Sequence, residues 1–105
     1  MFTIVNLMFK DIKEMIEYPR EGILSKEISK DGKLDMGLFC MAKGTVMSDH
    51  TSVRDAFVYV VEGDGVFNLE GEDIEMRPGV VISMKADAVH NLRAIENTAF
   101  ILGLY

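Results

Sequence analysis

A chain of 105 residues accommodates one domain, and no shift in composition marks a second. Apolar residues make up 49%, enough for a packed core. A formal charge of −6 without any cluster of Lys and Arg argues against a nucleic-acid partner, and the single cysteine, Cys40, rules out an intrachain disulfide or a zinc site of several thiolates.

The opening "MFTIVNLMFKD" is apolar but lacks the basic region and small-residue cleavage site of a signal peptide. The closing "TAFILGLY" is far too short to span a bilayer. A soluble cytoplasmic protein with no membrane partner is the expectation. Within "KDIKEMIEY", Ile12, Met15 and Ile16 recur at helical spacing and Pro19 follows as a stop. One short helix or an irregular arm is expected there.

Beyond the arm, turn signals recur roughly every ten residues, at Asp31-Gly32, Gly63-Asp64-Gly65, Gly71, Pro78-Gly79, Asp87 and Glu96-Asn97. Asp31-Gly32 suits a two-residue hairpin turn, because both positions tolerate positive φ. The runs between these signals are rich in Val, Ile, Phe and Tyr, the pattern of an all-β sandwich or small barrel. Residues 1–105 are read as one domain, with a core over 34–105 and an N-terminal arm over 1–33.

The run "AFVYVV", 56–61, is apolar on both faces, so this strand needs a cover on each side. Phe57, Tyr59 and Val61 make the second face, which calls for a second sheet or a second subunit and so points to a homodimer.

The two histidines, His50 and His90, each lie in a strand-like run. Strand alternation puts Ser48, His50 and Ser52 on one side, with Ala56, Val58 and Val60 facing the same interior beyond the turn. His90 heads another strand, with Leu92 and Ala94 on its face. Asp49 and Asp55 are turned away from the His50 face, unless a β-bulge near 53–55 brings Asp55 inward. Ser48, Ser52 and Asp55 cannot be ordered into a catalytic triad.

Here the chain resembles the cupin superfamily, from Gly44 to Leu104. Gly44 precedes His50 by the interval of the first cupin motif, and "YVVEGDG" matches that motif's strand and turn, ending at Gly63. "RPGVVISMKADAVH" matches the second motif, a Pro-Gly turn, a strand, another turn and His90. The resemblance implies a double-stranded β-helix, or jelly-roll barrel, with a ligand pocket at its mouth.

The departures fall at the site itself. Ser52 stands where the family has its second histidine and Ala56 where it has glutamate. Lys85, Val80 and Ala94 replace a proline, an acidic residue and a late asparagine. Cupins with the full ligand set hold zinc, nickel, iron or manganese, since imidazole and carboxylate suit those metals. With His50 and His90 alone, such a cofactor is expected to be weakly held or absent.

The leading expectation is therefore a small-molecule-binding cupin. Its pocket lies between His50 and His90 and includes Ser48, Ser52, Ala56, Val58, Val60 and Leu92. Two alternatives stand beside it: a metal-dependent enzyme of the dioxygenase or isomerase class, and a metal-free, epimerase-like enzyme using a histidine as general base.

Overall fold

The computed structural model describes residues 9–105. The chain starts with one helical turn, α1 (Ile12–Met15), and continues through β1 (Ile23–Ser29), β2 (Asp35–Met41), β3 (Val46–His50) and β4 (Ala56–Glu62). After these come β5 (Gly65–Leu69), β6 (Glu72–Met76), β7 (Val81–Met84), β8 (His90–Ala94) and β9 (Thr98–Leu104). They form two antiparallel sheets, one of five strands in the order β1-β2-β9-β4-β7, the other of four in the order β3-β8-β5-β6. This is the all-β architecture expected from the turn spacing, in the jelly-roll form that the family resemblance implies.

Alternation sorts the side chains into two cores. Met41, Val58, Val60, Phe67, Leu92 and Phe100 belong to the cluster between the sheets. Leu38, Cys40 and Ala99 point the other way, and there the arm covers them with Ile12, Met15, Ile16 and Tyr18. Asp11 caps the single turn by accepting a hydrogen bond from the Lys13 amide at 3.1 Å. The arm then crosses the sheet, and the Tyr18 hydroxyl donates to Glu62 at 2.6 Å.

Part of the second face of β4 is therefore covered within the chain itself. Val61 packs under the arm of its own chain. The Phe57 ring lies over Gly103, where any side chain would displace it. Only Tyr59, 39% exposed, remains largely bare on that strand.

The β1–β2 connection also departs from the expected two-residue turn. β1 ends at Ser29 and β2 begins at Asp35. Gly32 has φ 86°, whereas Asp31 keeps a negative φ and uses its carboxylate instead, accepting from the amides of Lys33 and Leu34. A side chain that closes its own loop makes a longer turn than the dipeptide alone implies. The tight two-residue hairpin is at Glu70-Gly71, both with positive φ, between β5 and β6.

Candidate functional site

β3 and β8 bring the two histidines together. Their ladder pairs Met47 with Leu92 and His50 with His90, so three steps on β3 match two on β8. This is a β-bulge, and it changes which side chains of β3 look inward. Met47 and His50 both face the interior, although unbroken alternation would separate them. Ser48 is exposed instead. Asp49 is also exposed, and accepts from the Asn91 side chain at 2.7 Å. The expectation that Ser48 shares a face with His50 fails because the bulge lies between Met47 and His50.

Each imidazole is fixed by the main chain. His50 Nδ1 lies 2.8 Å from the carbonyl oxygen of Ser48, and His90 Nδ1 lies 2.9 Å from that of Ala88. A carbonyl oxygen only accepts, so both rings carry their proton on Nδ1 when neutral. The lone pair is then on Nε2, which makes no hydrogen bond to any described residue. The ring centroids are 4.0 Å apart at an interplanar angle of 61°. Phe67 stacks on His90 at 5.6 Å. Burial lowers the pKa of His90 below its ordinary 6.5, the Ala88 carbonyl pulls it back in part, and the neighbouring His50 lowers it further. His90 is therefore neutral at pH 7.

The rings border a cavity of about 30 Å³, room for a water-sized group. Met47, Phe67 and Leu92 wall it from the four-stranded sheet, and Phe39, Val58 and Phe100 from the other. A family model for the cupin domain matches residues 37–103 of this sequence, more than half of the chain. The chain belongs to the cupin family.

Solved structures share the fold. A conserved protein of unknown function from Streptococcus pyogenes is 24% identical, with a TM-score of 0.82 over 96% of this cupin and 89% of that chain. KdgF from a Halomonas species is 26% identical, with a TM-score of 0.78 over 94% of this chain and 92% of its own. A salicylate 1,2-dioxygenase mutant from Pseudoaminobacter salicylatoxidans is 16% identical, with a TM-score of 0.74 over 89% of this chain but only 29% of that one. No curated protein sequence matches this cupin.

Four of the residues singled out in the sequence, His50, Val58, His90 and Leu92, line the cavity. Ala56 and Val60 share the inward face of β4 with Val58 and are fully buried, but they do not border the cavity. Ser52 lies past the end of β3, where its hydroxyl accepts from the Arg54 amide at 3.2 Å and its carbonyl from the Asp87 amide. Asp55 accepts from the Ala86 amide at 2.9 Å and so braces the turn after β7. Cys40 is buried on the opposite side of its sheet, under the arm.

The sequence reading missed the aromatic and methionine walls. Phe39 and Phe100 sit on inward positions that alternation could have named. Met47 was hidden by the bulge.

A family metal would find only part of its ligand set here. A backbone carbonyl on Nδ1 is the arrangement that orients Nε2 toward a metal. Two imidazoles offer it, but among the described residues no group of three or more His, Cys, Asp or Glu converges on any point. The methyl group of Ala56 has no donor atom. The residues present therefore do not fit a resident metal held by four protein ligands.

Proposed function

We propose that this cupin binds a small molecule at the barrel mouth, recognising it through the Nε2 atoms of His50 and His90. One observation carries the reading. Both rings spend Nδ1 on a backbone carbonyl, which leaves each Nε2 without a partner among the described residues, and the two rings, 4.0 Å apart between centroids, line an otherwise apolar cavity. Such a pocket, apolar with a few convergent polar atoms, is the usual form of a ligand site. Any metal bound there would be weakly held, with its remaining positions filled by water or ligand.

A metal-free acid/base reading has its own support. A general base needs a neutral imidazole near pH 7 and a partner that fixes its orientation. His90 has both, the partner being the Ala88 carbonyl rather than a carboxylate.

A fragment screen followed by side-chain nitrogen NMR tests the binding reading. Bound fragments should shift His50 or His90 Nε2, and should no longer bind His50→Ala or His90→Ala protein that still melts cooperatively. Fragments that bind both variants as well as the parent would place the site elsewhere. Elemental analysis of the purified protein separates the metal-dependent alternative, which requires close to one equivalent of metal.

A further inference from the structure

Next to the histidine cavity lies a larger one of about 230 Å³, and the two share Phe39 and Leu102 as walls. It runs along the inner face of β1, β2 and β9. Its floor is a row in register, with Glu27 beside Gly37 and Gly37 beside Leu102, and Leu104 follows at the open end.

Gly37 holds this trough open. Six of the nine glycines have positive φ, which a side chain would strain. Gly65 and Gly103 have no room for a Cβ, which would fall on the Arg93 carbonyl or the Phe57 ring. Gly37 meets neither constraint. Its φ is ordinary, and a Cβ there would have nothing closer than Phe39 Cε1 at 3.3 Å. In a strand interior glycine weakens the sheet and commonly marks a place where something approaches closely. Here the space it leaves is the trough.

The charges around the two cavities argue against an anionic ligand. Arg54 is spent on Asp35 at 2.6 Å and on the carbonyls of Lys33 and Leu104 at 2.8 and 3.0 Å. Lys26 pairs with Glu17 at 3.0 Å. Lys30 also lines the larger cavity, together with Glu27 and Asp35. No cationic side chain lines the histidine cavity, whose two Nε2 lone pairs call for a hydrogen-bond donor.

We infer that the ligand is an uncharged molecule with a hydroxyl head and an apolar body, the hydroxyl donating to Nε2 of His50 or His90 and the body lying in the trough over Gly37. This rests on the proposed histidine site and adds the ligand class. The head fits the water-sized cavity. The body can exceed a benzene ring, since a closed apolar cavity of about 150 Å³ already takes benzene.

The test uses 4-ethylphenol as the probe, with the protein labelled at the leucine methyls and histidine nitrogens. Binding should shift the Leu102 methyls and a histidine Nε2 together. Gly37→Leu should raise the Kd roughly tenfold or more while leaving the histidine titration of the free protein unchanged. Gly37→Ala, which adds only the Cβ, should show a smaller loss in the same direction and serves if the leucine variant does not fold. A shift at the histidines with unchanged affinity in both variants would overturn the trough and leave the histidine site standing. A shift at Leu102 without one at either histidine would overturn the hydroxyl contact and this ligand class with it. No binding of 4-ethylphenol to the parent protein would also overturn it.

Discussion

His50 and His90 are directly paired across the β3–β8 ladder, with ring centroids 4.0 Å apart, and each ring is anchored by a carbonyl two residues before it. Two protonated rings this close would repel each other in a site with no carboxylate among its lining residues. His90, buried beside His50, therefore favours its neutral form.

A pH dependence follows. The pKa of His90 is lowered in the folded protein relative to 6.5, so below that value the unfolded chain binds more protons than the folded one. Stability contributed by the neutral ring is complete above 6.5 and is lost as the pH falls through the window down to the folded value. The Tm should drop between pH 7 and pH 5, and His90→Asn should flatten that slope. An equal slope in parent and variant would show that other groups cause it.

The fold was legible because turn residues and apolar alternation pointed to the same answer. Gly63, Gly71, Pro78-Gly79 and Asp87 do stand between strands, and β4 reads directly as "AFVYVV". The site was legible only in part. His50 and His90 could be named from their strands, but the bulge between Met47 and His50 leaves no signature in "VMSDH", so the side facing inward could not be counted correctly. Long-range cover was equally hidden. Nothing in the helical spacing of Ile12, Met15 and Ile16 says that they close over Cys40 and Val61.

That cover can be tested at Tyr18. Its hydroxyl donates to Glu62 at 2.6 Å and ties the arm to the end of β4, above the buried Cys40. Burial and then the Glu62 bond raise the phenol pKa above 10.0, so the latch is complete below that pH and weakens as the unfolded chain ionises above it. Tyr18→Phe should cost about 1 kcal/mol. It should also speed the reaction of Cys40 with a thiol reagent under native conditions. An unchanged Tm and labelling rate would show that the arm is held by its apolar contacts alone.

The outer face left bare by the arm carries the dimer proposal. Tyr59 pairs in register with Val81, which is 61% exposed, and Phe57 lies beside Tyr105, which is 54% exposed. A contiguous apolar patch on a sheet face marks an interface. Sedimentation at micromolar concentration should report a mass near twice 11.8 kDa, and Tyr59→Glu should return it toward one. A parent protein that sediments as a monomer would remove this interface.

The missing metal ligands can be put back. The cupin pattern has histidine at Ser52 and glutamate at Ala56, and Ala56 is fully buried on the inward face of β4. Ala56→Glu alone should therefore destabilise the protein by roughly 3–5 kcal/mol, since it places an uncompensated carboxylate in the core. Combined with Ser52→His, it should create a site that zinc can satisfy together with His50 and His90. Saturating zinc should then raise the Tm of the double variant by roughly 10 °C or more, because a ligand that binds only the folded state stabilises it by mass action. The parent, with two imidazoles, should shift far less. Equal zinc responses in a folded double variant would mean that residues 52 and 56 do not converge on the histidines, and that the departure from the family's ligand set extends to the backbone.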